Sequence, residues 1–72
     1  MTNTRLLEAR IAELGLKKGY LAQECGLSRA GFRNCVTNKA SFKPHHIDIL
    51  CVLLKIRSLK EKEAIFFAKN GS

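Results

Sequence analysis

Lys18-Gly19-Tyr20-Leu21-Ala22-Gln23-Glu24-Cys25-Gly26-Leu27-Ser28-Arg29-Ala30-Gly31-Phe32-Arg33-Asn34-Cys35-Val36 is the stretch that decides the fold. Leu21, Ala22 and Cys25 share one face of a short helix expected over 18–24, and Gly26 stops it. Glycine takes a positive φ without steric cost, so it suits the turn. Leu27 then points inward, and Ser28 is a good N-cap for a helix over 28–36. On that helix Phe32 and Cys35, with part of Val36, form the buried stripe, while Arg29, Arg33, Asn34 and Thr37 fall on the other side. Two helices crossing at about 90–120° through a short turn need a small residue at the approach and a permissive residue in the turn. Ala22 and Gly26 meet those needs, and the stretch reads as a helix-turn-helix.

Outward from this pair the pattern stays helical. Leu7, Ile11 and Leu14 lie on one face of a helix over 4–14, with Gly15 as its left-handed cap and Leu16 returning to the core. After a loop over 38–43, Pro44 suits the first position of a helix over 44–55, with Lys43 as N-cap and Phe42 stapled to Ile47. Ile47, Leu50, Cys51, Leu53 and Leu54 make that helix too apolar for a surface position, so it is expected at the centre of the core. Ser58 and Glu61 match a capping box for a helix over 59–68, whose apolar content is Leu59, Ala64, Ile65, Phe66 and Phe67. Residues 70–72 read as a frayed end. The expectation is one all-α domain over 1–72, a compact five-helix bundle containing a helix-turn-helix.

Composition narrows the function. A chain of 72 residues buries only about 60% of its unfolded surface, so folding alone is marginal and self-association would help. Cys25, Cys35 and Cys51 are odd in number and lack C-x-x-C spacing, which argues against a disulfide framework or a zinc site. The apolar run Ile49 to Leu54 is far too short to span a bilayer, and no export signal is visible. A cytoplasmic protein without a membrane partner is expected. His45 and His46 are adjacent, so a helix points them apart; both are expected on the surface, with no nucleophile or metal constellation around them. No enzyme activity, metal or cofactor is expected.

Charge gives the positive signal. Thirteen Lys and Arg against six Asp and Glu leave +7. Between Lys17 and Lys43 six cations (Lys17, Lys18, Arg29, Arg33, Lys39, Lys43) face one acid, Glu24, so this window holds +5 of the +7. A concentrated basic surface attracts polyanions and speeds encounter with them.

The run from Leu16 to Phe32 resembles the helix-turn-helix of the lambda-repressor/Cro-like family, and the pattern continues through the fourth helix. The short length, Phe42 and the Phe66-Phe67 pair are similar to small Cro-type regulators of temperate phages, among them the modulator-of-repression antirepressors of lactococcal phages. The resemblance implies a transcription regulator of the lysis–lysogeny switch, bound to operator DNA alone or together with a CI-type repressor. In such proteins the third helix enters the major groove. Carried over, Ser28, Arg29, Arg33 and Asn34 would face the groove, and Lys17, Lys18, Asn38 and Lys39 would hold phosphates.

Five positions depart from the family, among them Gly19, where a charged residue is common. Lys18 stands where Gln is usual, Tyr20 replaces a charged residue, and Ala30 and Gly31 carry nothing that reaches a base. The alternative is an antirepressor that binds the CI-type repressor through Tyr20, Arg29, Arg33 and Asn34, with Phe66 and Phe67 as further contact residues. Adjacent helical residues point about 100° apart. Phe66 and Phe67 therefore cannot both face inward, and one is available for a homodimer.

Overall fold

How the helices stop explains how the chain turns. The computed structural model describes residues 1–69; the frayed end expected at 70–72 lies outside them. Five helices follow in order: α1 Thr4–Glu13, α2 Lys18–Glu24, α3 Arg29–Val36, α4 Pro44–Leu53 and α5 Leu59–Phe66. Among the described residues there is no strand. The first four helices end in the same hydrogen-bond pattern. Gly15, Gly26, Asn38 and Lys55 take φ of 67°, 71°, 66° and 57°. Each donates its N–H to a carbonyl three residues back (Ala12, Gln23, Cys35, Val52), and the following residue (Leu16, Leu27, Lys39, Ile56) donates five residues back. This paired closure is the Schellman motif. Glycine takes the left-handed conformation freely, and asparagine tolerates it. Lysine does so at a steric cost.

Helix starts follow side-chain chemistry where it exists. Asn3, Ser28 and Ser58 cap α1, α3 and α5 by accepting the N–H of Leu6, Gly31 and Glu61. Ser28 is therefore the cap of α3 and not its first residue. The capping box expected at Ser58 is half made, because the Glu61 carboxylate pairs with Arg10 instead of returning to Ser58. Three expected helices overshoot, the first by the single residue Leu14, which is its C-cap. The fourth ends at Leu53 because Lys55 has left the helical region, and the fifth at Phe66 because Phe67 has rotated to φ −124°, ψ 38°. Beyond it, the Ala68 N–H is taken by the Met1 carbonyl.

The core joins residues from all five helices. Leu7, Leu21, Phe32, Leu50 and Leu54 are fully buried. Phe42 sits edge-on to Phe32 at 5.8 Å and to Phe66 at 5.9 Å. Each such pair is worth about 0.5–1.5 kcal/mol beyond area burial. α4, expected at the centre of the core, buries Ile47 and Leu50 but leaves Cys51 and Leu53 half-buried and Val52 77% exposed. On α5, Ile65 and Phe66 are buried, whereas Leu59 and Ala64, part of the same apolar content, are exposed. α2 packs most closely on α3, α1 lies along α5, and α2 also touches α4.

Two polar ties hold the periphery. The first joins the N-terminal segment to α3 and α5. Thr2 N–H donates to Asn38 Oδ1 at 2.8 Å, Asn38 Nδ2 returns a bond to Thr2 O at 2.9 Å, and Thr4 Oγ1 donates to Val36 O at 2.6 Å. Asn3 N–H donates to Ile65 O at 2.7 Å, and Met1 and Ala68 exchange two bonds of 2.9 Å. The second is Arg10. Its guanidinium donates to Leu54 O at 2.9 Å and Lys55 O at 3.4 Å, pairs with Glu61, and lies 3.4 Å from Glu13 Oε1. It thereby covers carbonyls left free at the end of α4.

Candidate functional site

α2 and α3 bury their apolar stripes on each other, so their polar residues lie on the outer surface. Lys17, Lys18, Tyr20, Ser28, Arg29, Arg33, Asn34 and Lys39 are all exposed. Four of them, Lys17, Lys18, Arg29 and Arg33, converge on one cleft of about 640 Å³. Phe32 and Val36, buried residues of α3, line its floor, while Gly19, Thr37 and Glu8 complete the wall. The rim carries four cations against one carboxylate. Its sign is positive, and its floor is apolar.

The cations are not equivalent. Lys18 Nζ is 2.7 Å from Glu8 Oε1 and donates to Glu8 Oε2 at 2.8 Å, so its charge is partly matched within the chain. Among the described residues neither Arg29 nor Arg33 has an ion-pair partner. Arg29 does not project forward from α3. Its guanidinium lies across the first turn of α2, against Gly19. Asn34, Lys39, Ser28 and Tyr20 stand outside the cleft.

Three residues need reassignment. Both polar atoms of the Asn38 carboxamide are engaged with Thr2, so Asn38 closes the fold rather than extending toward a phosphate. Phe66, expected on a contact surface, is buried against Phe42. Phe67 is 58% exposed and borders two shallow hollows floored by Phe42 and Ile47. His46, expected on the surface, is also buried. Its Nδ1 accepts the Lys43 N–H at 3.1 Å and closes the start of α4, where Lys43 has no acceptor of its own. Burial, then the neighbouring His45 and Lys43 charges, hold His46 below the ordinary imidazole pKa.

The sequence reading missed Glu8 and the role of Gly19. Their partners lie far off in the chain, since Glu8 reaches Lys18 from α1 and Gly19 meets Arg29 from α3. Burial raises the pKa of Cys25, Cys35 and Cys51, which keeps these thiols protonated and unreactive at neutral pH. Among the described residues no group of three or more His, Cys, Asp or Glu is placed to hold a metal ion, and no helix is long and apolar enough to cross a membrane. No protein-family model matches the chain, and no curated protein or solved structure matches it significantly.

Proposed function

We propose that α2, the Gly26 turn and α3 form a helix-turn-helix, and that the chain is a regulator of a phage lysis–lysogeny switch working through this face. The reading best supported is an antirepressor: the face grips a CI-type repressor protein and blocks or alters its action on DNA. One observation carries it. The exposed cations surround a concave cleft with an apolar floor, not a projecting ridge. A helix that reads the major groove must push side chains outward to base edges. Here Ala30 and Gly31 leave the start of α3 bare, Arg29 is drawn back onto α2, and Lys18 is paired with Glu8. A cleft of mixed apolar and cationic character suits a protein side chain. Tyr20, 44% exposed, and Arg33 belong to the residue types that dominate interface energetics.

The second reading is operator DNA, bound alone or together with the repressor. The charge window from Lys17 to Lys43 supports it, and Arg33 and Asn34 remain exposed on α3 for base edges, with Lys17 and Lys39 for phosphates.

One experiment separates the two. The purified chain is mixed with the CI-type repressor encoded beside it, and separately with operator fragments across a salt series. A stable protein complex with no mobility shift of DNA alone is expected. A salt-dependent DNA shift without a repressor complex sinks the antirepressor reading. Arg33→Ala is expected to weaken the complex by roughly tenfold or more while leaving the helical content intact.

A further inference from the structure

Gly19 is the second residue of α2, and its backbone is ordinary right-handed helix, so nothing in the conformation calls for glycine there. Glycine is among the poorest helix formers, which makes its presence a cost without a local reason. The space a side chain would take is filled from across the turn. A Cβ on residue 19 would stand 2.9 Å from Arg29 Nη2, 3.0 Å from Nε and 3.2 Å from Cζ. All three atoms belong to the guanidinium, so that planar group is seated where a side chain on α2 would be. Arg29 lines the same cleft as Lys17, Phe32 and Val36.

We propose that Gly19 is a positioning residue whose missing side chain seats Arg29, and that Arg29, so held, binds a carboxylate of the protein partner. The inference rests on the protein-binding reading of this face. Its chemistry follows from the site. Arg29 has no acidic partner among the described residues, and a guanidinium fork matches the two oxygens of a carboxylate. The floor is apolar and Glu8 lies on the wall. A lone Asp or Glu beside an apolar side chain fits these surroundings. A run of phosphates would meet an apolar surface it cannot use.

The test uses the full chain and small probes followed by ¹H–¹⁵N NMR, including the arginine Nε–H signals. The probes are N-acetyl-Leu-Glu-amide, its Gln counterpart and inorganic phosphate. In the free protein, contacts between the Gly19 α-protons and the Arg29 side chain are expected, and Gly19→Ala moves the Arg29 Nε–H signal without lowering the melting temperature. The Glu probe shifts Arg29, Gly19 and Arg33, and binds at least roughly fivefold more tightly than the Gln probe. Gly19→Ala and Arg29→Lys each weaken the Glu probe by a similar factor. Equal binding of the Glu probe by the wild type and Gly19→Ala overturns the positioning role. Phosphate binding more tightly than the Glu probe overturns the carboxylate assignment and turns the cleft toward nucleic acid. A chain that binds the repressor yet gives none of these responses overturns this inference and leaves the antirepressor reading standing.

Discussion

Two junctions in this molecule are written in nearly the same local code and end in opposite uses of arginine. Between α2 and α3 the chain runs from Cys25 through Gly26 and Leu27 to the Ser28 cap. Between α4 and α5 it runs from Leu54 through Lys55, Ile56 and Arg57 to the Ser58 cap. Each has a left-handed residue, an apolar residue after it and a serine that opens the next helix. At the second junction Arg10 arrives from α1, covers the Leu54 and Lys55 carbonyls and takes up Glu61. Among the described residues no such tie reaches the first, and Arg29 and Arg33 stay without acidic partners. The same turn chemistry thus serves a self-closed joint in one place and a face with unmatched cations in the other.

The sharpest way to break the first junction is through its core. Phe32→Ala empties a fully buried ring site between α2, α3 and Phe42, and a loss of about 3–5 kcal/mol is expected. In a domain this small that unfolds much of the population, which urea titration followed by circular dichroism would detect. A variant that melts like the wild type would mean that Phe32 does not hold the two helices together.

The second junction breaks through its arginine. Arg10→Met keeps much of the aliphatic stem and removes bonds to two carbonyls and one carboxylate. Hydrogen bonds to charged groups contribute about 1.5–3 kcal/mol, and a loss near the lower end is expected because the site is part-exposed. Binding at the α2–α3 face is expected to survive once the variant is folded. Loss of binding by a fully folded variant would show that the two junctions are not independent.

The left-handed residues sharpen the comparison with opposite signs. Gly26→Ala forces a Cβ into φ 71° although no atom lies within 4 Å of it, so strain alone sets a cost of about 1 kcal/mol. Lys55→Gly relieves the same strain at φ 57° and is expected to stabilise by a few tenths to about 1 kcal/mol. Thermal melts of the two variants should move in opposite directions.

The smallest effect expected is a dependence on pH at the start of α4. His46 accepts the Lys43 N–H only when Nδ1 is unprotonated, and its folded pKa lies below the ordinary 6.5. The unfolded chain therefore takes up the proton first. Stability from this group is complete above the unfolded value and is lost as pH falls through the folded one. The melting temperature should drop between pH 7.5 and pH 5.5, and His46→Gln should flatten that drop. An unchanged slope in the variant would assign the effect to other groups.

Much of the local structure was legible in the residues. Gly15 and Gly26 stop helices because only glycine takes a positive φ without strain, and Ser28 and Ser58 start them because a hydroxyl can accept a free N–H. Leu21, Ala22, Phe32 and Cys35 were readable as one buried seam because helical spacing puts them on facing stripes. Asn38 was misleading for a physical reason. An exposed-looking asparagine after a helix is equally able to bind a partner or its own chain, and the choice depends on Thr2, 36 positions away.

The amino-acid sequence by itself determined an all-helical chain, where its helices begin, which glycines stop two of them, and an excess of positive charge around α2 and α3. Those are consequences of spacing, backbone conformation and composition, which act within a few residues. Tertiary structure decided which charges were left over. Arg10 meets Glu61 across 51 positions, Glu8 meets Lys18 across 10, and Arg29 finds a seat on Gly19 only because two helices are packed together. Whether an arginine stitches the fold or faces a partner depends on which acids the fold brings within reach, and no local pattern carries that information.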